Sequence, residues 1–347
     1  MDVLELSPTD HESLAKLSAL AGQVYADDPV WVPQSESALA SLLAGGSNVF
    51  VRPLLCVDDG VPLARAVALL RPGAVDDHDH PLGYVGFFEC LEAHAEAGRA
   101  VLERAEAILG DRGAIAVQAP RVDNMLMGLV VEGFGLSQTV LTPHNPPYYA
   151  DILLSAGYRV RERLVTYVFD RTSAPNLPAT LPGFVVRAFD RQRLDDEVRV
   201  FHTLQQEIFG DHPGWVARTL AEDRRTIEGF LPMLDDELVL IAEDGSGRPV
   251  GLLVCLPDVY RAFRGQPVDN ARLISIGVLP GYIRKGVGLL MSLQLARNLI
   301  AKGYQTLEAS WIRDSNLPPQ ELARRLAGCR GREFALFEKD LVLSGSG

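Results

Sequence analysis

The sequence predicts an α/β (α+β) protein built from two tandem domains, each with a mixed, mostly antiparallel sheet flanked by helices. Three observations support this fold class. Strands and helices alternate along the chain of 347 residues, the order of elements in the first half recurs in the second, and a proline-rich segment at 171–183 separates the halves.

The first half is predicted to run strand, helix, hairpin, strand, helix, strand, helix, strand. Alternating apolar residues predict the strands, and apolar residues at helical spacing predict the helices. An Asp-Gly pair marks the turn of the hairpin. In chain order, the elements are expected at 2–7, 10–25, 54–70, 83–90, 98–113, 114–120 and 153–170.

The second half repeats this order, again with an Asp-Gly turn in its hairpin. In the helix at 287–303, four apolar residues follow one another at helical spacing and form a single row. These residues are Leu289, Leu293, Ala296 and Ile300. The elements are expected at 184–189, 191–209, 239–256, 273–280, 287–303, 306–312 and 318–341.

The repeat sets the predicted domain boundaries. Both halves close with a helix end, an Ala-Gly pair, a short basic connection and an alternating strand. Ala156-Gly157 corresponds to Ala327-Gly328, and Arg161-Glu162 corresponds to Arg332-Glu333. We therefore expect one domain at 1–172, a linker at 173–182 and a second domain at 183–347.

Composition narrows the classes of function. The net charge is −12, and an acidic protein should repel nucleic acid and anionic membrane, so neither is an expected partner. The four cysteines lie far apart without metal-ligand spacing, so neither a metal site nor a disulfide framework is expected. The N-terminus lacks a signal peptide, and no apolar run spans a bilayer, which predicts a cytoplasmic protein.

One short motif stands out between a predicted strand and helix. Residues 284–288 read Arg284-Lys285-Gly286-Val287-Gly288. The motif fits neither a Walker loop, which needs Lys-Ser/Thr, nor a dinucleotide fingerprint, because Met291 replaces the last glycine. Glycines at a helix start let a phosphate approach the open N–H groups, and the two cations add attraction. A plain strand-to-helix turn with two solvated cations remains the alternative.

In this setting the motif resembles the acyl-CoA signature of the GCN5-related N-acetyltransferase (GNAT) superfamily. The run Val278-Leu279-Pro280, the motif at 284–288 and Asn316 after the next strand carry the resemblance. It covers 183–341 best, and the chain looks like an uncharacterised bacterial group with two such domains in tandem.

The resemblance implies an N-acyltransferase that uses acetyl-CoA, or another acyl-CoA, as cosubstrate and acts on an amine of a small molecule or protein. A monomer or homodimer is expected. The residues implied to bind the cosubstrate are Ile276, Gly277 and Val278 along the pantetheine arm, with Arg284, Lys285, Gly286, Val287, Gly288 and Asn316. Gly277 is also expected to mark a β-bulge that separates its strand from the neighbour.

The sequence departs from the family pattern at several points. Ile283 stands where the family places Gln or Arg, and the helix at 318–328 lacks the tyrosine that often protonates the leaving thiolate. Glu308 is the nearest candidate base, and a surface glutamate explains it equally well. His202 could line the acceptor site, and a solvated helix face explains that residue equally well. Two other functions therefore stay open: a non-catalytic acyl-CoA-binding or regulatory protein, and a tRNA-fed aminoacyl transferase, which the net charge disfavours.

The corresponding loop of the first half is acidic. Aligning the two helices through their closing glycines places His94 opposite Arg284 and Glu96 opposite Gly286. A carboxylate at a phosphate position is repulsive. We therefore predict a degenerate first domain that does not bind CoA, with a different ligand there as the alternative.

Overall fold

The computed structural model describes residues 1–34, 36–43, 49–173, 179–212 and 214–341. Part of the predicted linker, residues 174–178, lies outside the described residues. The chain divides into two compact units. Unit 1 comprises Met1–Leu164 and the chain from Arg332 onward, and unit 2 comprises Val165–Gly331.

Unit 1 is a single sheet with helices. Its elements are β1 (Asp2–Glu5), α1 (His11–Val24), α2 (Glu36–Leu43), β2 (Phe50–Asp58), β3 (Val61–Leu70), β4 (Leu82–Cys90), α3 (Ala95–Gly110), β5 (Ala116–Ala119), β6 (Leu129–Glu132), α4 (Tyr149–Ser155), the first part of β7 (Arg159–Asp170) and most of β13 (Cys329–Asp340). The strand order is β1-β2-β3-β4-β5-β13, with β6 paired to β13. Neighbouring strands are antiparallel except β4 and β5, which are parallel.

Unit 2 repeats this architecture. Its elements, after the second part of β7, are β8 (Phe184–Ala188), α5 (Leu194–Phe209), α6 (Leu220–Phe230), β9 (Val239–Asp244), β10 (Pro249–Pro257), α7 (Tyr260–Phe263), β11 (Asn270–Val278), α8 (Val287–Lys302), β12 (Thr306–Arg313) and α9 (Leu317–Arg325). The strand order is β8-β9-β10-β11-β12-β7. The pairs from β8 to β11 are antiparallel, and β11 and β12 are parallel. The predicted fold class is therefore confirmed.

The strand that closes each sheet comes from the other half of the sequence. In unit 1, β13 pairs with β5 from Phe337↔Ala119 to Asp340↔Ala116. In unit 2, β7 lies beside β12. The proposed domains 1–172 and 183–347 thus describe the repeat in the sequence, whereas the compact units differ from them by these closing strands.

Helices α3 and α8 cover equivalent positions in the two units. In α3, Val101, Leu102 and Ala105 are fully buried in the core of unit 1. In α8, the core face consists of Val287, Met291, Leu295 and Leu299.

The apolar row predicted on α8 is a different face of the helix. Leu293 is buried, whereas Leu289 and Ile300 each keep more than a third of their surface exposed. The predicted row therefore lies partly in solvent and partly against a cavity of unit 2. The row that contains Met291 and Leu295 packs in the core.

Within the described residues, no helix is long and apolar enough to cross a membrane.

Phe337 tests whether β13 completes the core of unit 1. Its side chain is 1% exposed and packs in the core cluster with residues of α3 and β5. We expect Phe337→Ala to lower the free energy of unfolding by about 3–5 kcal/mol, because a large cavity is left. Urea unfolding followed by circular dichroism measures the loss. Phe263→Ala, at a side chain that is 69% exposed, is the control and should change the value by less than about 0.5 kcal/mol. Equal effects of the two substitutions would contradict the assignment.

Candidate functional site

Strands β11 and β12 separate part of the way along their length. They pair in parallel only from Asn270↔Thr306 to Leu273↔Ala309. At the same point the register of β11 with β10 shifts, and Ile274 is left between two paired residues. Such a bulge bends its strand and increases the local twist. The bulge expected at Gly277 is therefore wrong; it lies at Ile274, where the strands part.

A cavity of about 350 Å³ opens at this separation, wholly within unit 2. Most of its lining is apolar. Helix α8 contributes the most distinctive part, because Leu293, Ala296 and Ile300 of the predicted row face it. The other walls come from the parted ends of β11 and β12, from α9, from β7 and from the end of α5. A concave, mostly apolar site with few polar groups is typical of a ligand pocket.

Gly277 allows α5 to lie close against β11. A Cβ atom at this position would meet Ile208 Cγ2 at 2.3 Å and Phe209 Cζ at 3.1 Å. Of the three predicted β11 residues, Ile276 lines the cavity. Gly277 instead contacts α5, and Val278 packs against the core of unit 2.

The loop from β11 to α8 spans Leu279 to Gly286 and is tied to the neighbouring hairpin. A 3₁₀ turn covers Pro280–Tyr282. The Tyr282 hydroxyl donates to Asp244 Oδ2 at 2.6 Å. Hydrogen bonds from Ser246 and Tyr282 hold the pKa of Asp244 below its usual range, so the carboxylate remains a strong acceptor. The loop is thus anchored before it reaches the glycines.

The loop ends in an open helix N-terminus. Gly286 is the N-cap of α8 with a φ of 87°, a left-handed conformation that favours glycine. No side chain caps the first turn, so its N–H groups point outward. Around Gly288, nothing lies within 4 Å of the position a Cβ would take. Val287 is buried in the core below.

Two cations flank this N-terminus. Arg284, with a φ of 65°, is exposed and forms no ion pair with any described residue. The Lys285 ammonium lies 4.6 Å from the centre of the Tyr282 ring. The first turn of α8 contains no acidic residue. Ile283, at the position that departs from the family pattern, is extended and 58% exposed. The arrangement is suited to a phosphate anion.

Asn316 and Glu308 have different relations to the cavity. Asn316 is the N-cap of α9 and lines the cavity. Glu308 is 9% exposed and faces Arg272 in the register of β11 and β12. Its neighbours Leu307 and Ala309 line the cavity, but Glu308 does not, because alternate side chains of a strand point to opposite faces.

The structure shows a cavity residue that sequence reasoning missed. His212, just after α5, lines the cavity beside Phe209, whose ring centre lies 5.3 Å from the imidazole. His202, the histidine considered for the acceptor site, is not among the lining residues and places Nδ1 2.7 Å from Asp223 Oδ2. The turn-forming residues around His212 predict a loop, but no local pattern indicates where that loop packs.

In unit 1 the equivalent separation is closed. Strands β4 and β5 pair from Leu82↔Ala116 to Tyr84↔Gln118. Beyond that, the Arg121 N–H donates to the Val85 carbonyl at 2.8 Å. A Cβ on Gly86 would meet Val122 Cγ2 at 2.7 Å. Val122 and the backbone of Arg121 therefore lie against β4 where the paired residues of β4 and β5 end.

The loop into α3 is also shorter than its counterpart. Only Leu91 to His94 separate β4 from α3, and a 3₁₀ turn takes up Glu92–His94. Matching the helix starts places Glu96 opposite Gly288, which corrects the alignment opposite Gly286. A Cβ on Gly98 would lie 3.0 Å from Cys90 Sγ, so this helix start is packed tightly.

Comparison with known proteins identifies relatives along the whole chain. Residues 201–328 match the family model described as "Acetyltransferase (GNAT) family". "Protein YghO" of Escherichia coli (strain K12) is 22% identical over 93% of this chain and 92% of its own. The "Bacterial ceramide synthase" of Caulobacter vibrioides is 24% identical over 94% of this chain and 95% of its own.

Solved structures share the fold. A "Tandem GNAT protein from the clavulanic acid biosynthesis pathway" matches with a TM-score of 0.66 at 11% identity, over 99% of both chains. A GCN5-related N-acetyltransferase from Sphaerobacter thermophilus matches with a TM-score of 0.60 at 17% identity, over 98% of this chain and 96% of that one. The predicted resemblance to tandem GNAT proteins is confirmed.

Gly277 tests the close approach of α5 to the separated strand. We expect Gly277→Ala to destabilise the protein by about 1–3 kcal/mol, because its methyl group overlaps Ile208. Thermal unfolding measures the change. Gly281→Ala is the control, since nothing lies within 4 Å of its Cβ position. Adding Ile208→Ala to Gly277→Ala should relieve the overlap; failure of both expectations would show that α5 does not pack on Gly277.

Proposed function

We propose that this chain, which belongs to the GNAT superfamily and carries two such domains in tandem, transfers an acyl group from an acyl-CoA to an amine in unit 2. The observation that carries the proposal is the open N-terminus of α8, together with the cavity between parted strands that the same helix lines from Ser292 onward. It combines an anion site with a mostly apolar cavity, as a phosphorylated carrier of an apolar acyl group requires.

The residues present fit the pyrophosphate of CoA. The N–H groups of Val287 and Gly288 belong to an uncapped first turn, and Arg284 and Lys285 supply positive charge. Because no side chain intrudes at Gly288, a phosphate can reach the backbone. These four residues, with Gly286 at the turn, would hold the pyrophosphate.

The pantetheine arm would lie along β11. Beyond Leu273 the edge of this strand toward β12 has no paired residue, so its backbone groups can bond to the amides of the arm. Ile276 and Asn316 line the same cavity. The thioester supplies an acyl group that is activated for attack by an amine.

The positive charge at the start of α8 favours an anionic cosubstrate, although the chain as a whole is negatively charged. The whole chain has a net charge of −12, which repels anions in general. Arg284 and Lys285 project at the start of α8 without an acidic residue in the first turn. An anion therefore gains attraction at the start of α8, which supports a specific site there.

The apolar lining favours an acyl group longer than the acetyl group first expected. Leu293, Ala296, Leu299 and Ile300 of α8 extend the cavity past the point where β11 and β12 part. A relative that covers nearly the whole chain is named a ceramide synthase. An amphiphilic amine or a long acyl chain would bury its apolar part against such a wall. The acceptor is proposed to be an amine of this kind, and the protein is proposed to act in the cytoplasm.

A binding protein without catalysis is the second candidate. Two observations favour it: α9 carries no tyrosine, and Glu308 does not line the cavity. The one tyrosine among the described lining residues, Tyr304, lies at the end where the strands still pair, and burial raises its pKa to about 12. Release of free thiol from acyl-CoA in the presence of a panel of amines separates the two candidates.

Gly288 tests the pyrophosphate site. We expect CoA to raise the melting temperature of the wild type and to have little effect on Gly288→Glu, because the new carboxylate occupies the anion position. Differential scanning fluorimetry with and without CoA measures the shift. Gly229→Glu on α6 is a matched control, since it adds the same charge at a helical glycine with nothing within 4 Å, away from the cavity.

The control should keep the wild-type shift. An absent shift in the wild type would refute the cosubstrate. A full shift in Gly288→Glu would place the site elsewhere.

Ala296 tests the length of the acyl group. We expect Ala296→Phe to reduce turnover of palmitoyl-CoA by about 10-fold or more relative to that of acetyl-CoA, because the ring fills the cavity. Thiol release with each donor, at a fixed amine concentration, measures the ratio. Arg297→Phe places the same ring on the exposed face of α8 and should leave the ratio unchanged. An unchanged ratio in Ala296→Phe would argue for a short acyl group.

A further inference from the structure

His212 lies where the end of α5 meets the cavity. It lines the cavity together with Ser275, Ile276 and Arg313, which belong to the parted segments of β11 and β12. Its ring packs edge-on against Phe209. Phe209 in turn approaches the Cβ position of Gly277 to 3.1 Å. The imidazole is therefore next to the part of β11 along which the acyl donor is proposed to lie.

Two other histidines, His202 and His144, each have a ring nitrogen beside a carboxylate, and His212 differs from them in this respect. His202 Nδ1 lies 2.7 Å from Asp223, and His144 Nε2 lies 2.7 Å from Asp28. Within the described part of the chain, only backbone hydrogen bonds involve His212: its N–H donates to Phe209 and its carbonyl accepts from Trp215. The imidazole is thus available to a substrate, whereas those of His202 and His144 are held by carboxylates.

We infer that His212 is the general base of the transfer, accepting the proton that the attacking amine loses. The inference rests on the proposed function and assigns a residue to it. Its basis is the position of an uncommitted imidazole in the wall of the cavity that the parted segment of β11 also lines.

The surroundings of His212 favour its neutral form. Partial burial and then the positive charge of Arg313 lower its pKa below the usual 6.5, and the neighbouring Asp211 opposes them weakly. Phe209 and Trp215, which pack nearby, carry no charge. At pH 7 the ring therefore has a lone pair that can accept a proton.

The proton and electron balance of the step is complete. The nitrogen lone pair forms a C–N bond to the acyl carbon, the C–S bond breaks, and its electron pair leaves with sulfur. The nitrogen proton passes to the imidazole, and the thiolate takes up one proton, from the imidazolium or from water. The products are an amide and free CoA, and no oxidant or further reactant is needed.

Glu308 is less suited to this role. It is on the face of β12 opposite to the lining residues Leu307 and Ala309. A base must come within hydrogen-bond reach of the proton, directly or through one water. His212 lines the cavity in which the amine is proposed to react, and Glu308 does not.

The test compares His212→Gln with His202→Gln. Thiol release from palmitoyl-CoA is measured with a panel of primary amines that includes dodecylamine, across pH 5.5–9, alongside the melting shift caused by CoA. We expect His212→Gln to lower kcat by about 100-fold or more while keeping the CoA shift. Below about pH 6.5 the wild-type rate should fall more steeply than protonation of the amine alone requires, because the imidazole is protonated as well, and this additional acidic limb should vanish in the variant. Added imidazole should partly restore His212→Ala.

His202→Gln keeps a donor for Asp223 and should stay within about twofold of the wild type, with the same acidic limb. Wild-type turnover with an unchanged rate and limb in His212→Gln would overturn the assignment and leave the proposed function standing. CoA binding without turnover by the wild type would overturn both the assignment and the catalytic function. An absent CoA shift in the wild type would remove the site on which both depend.

Discussion

The end of pairing between β11 and β12 is the constraint on which the rest of unit 2 depends. After Leu273↔Ala309 the two strands part, because the bulge at Ile274 turns β11 away. The parting exposes one backbone edge of β11, opens the cavity, and directs the following loop toward the start of α8. Backbone groups freed from a sheet in the interior need partners. A ligand with amide groups along an extended arm would supply them, so we propose that the same irregularity that weakens the sheet creates a binding site.

In unit 1 a similar irregularity of the sheet is present, and the polar groups beside it find hydrogen-bond partners within the protein. Its register also shifts beside the parallel pair, between Arg65↔Glu89 and Val67↔Gly86. There the chain after β5 bonds back to Val85, and Glu89 accepts a hydrogen bond from the Tyr149 hydroxyl at 2.7 Å. Burial raises the pKa of Glu89 even though Arg65 and Tyr149 oppose the shift. The duplicated architecture therefore persists where the chain after β5 bonds back to β4, which fits a unit that retains the fold without the basic loop of unit 2.

Much of the fold could be predicted from the sequence because the repeat appears twice with the same periodicity. The closing strands could not be assigned to their sheets. Arg161-Glu162 lies in β7 and Arg332-Glu333 lies in β13, and the two strands have nearly the same sequence pattern. That pattern therefore cannot decide which of the two sheets each strand closes. The loop proposed to bind an anion, at 284–288, could be recognised in the sequence because its glycines and cations are contiguous. The bulge at Ile274, the packing role of Gly277 and the position of His212 depend on contacts with distant elements, and those contacts leave no short-range signal.

The charge pattern of α8 supports the anion site proposed at its N-terminus. Helices gain stability from acids in the first turn and lose it from cations there, by about 0.3–1 kcal/mol each. Helices α3, α5 and α6 follow the rule, with Glu96, Asp195 and Glu222 among their first residues. Helix α8 reverses it at the start, with Arg284 and Lys285 before an uncapped turn, and obeys it at the end, where Lys302 pairs with Asp235 and Glu237. Helix α8 therefore has favourable charge at its C-terminus and unfavourable charge at its N-terminus, and a bound anion would offset the unfavourable charge. The duplication supplies the comparison, since α3 occupies the same place in unit 1 and carries a glutamate there.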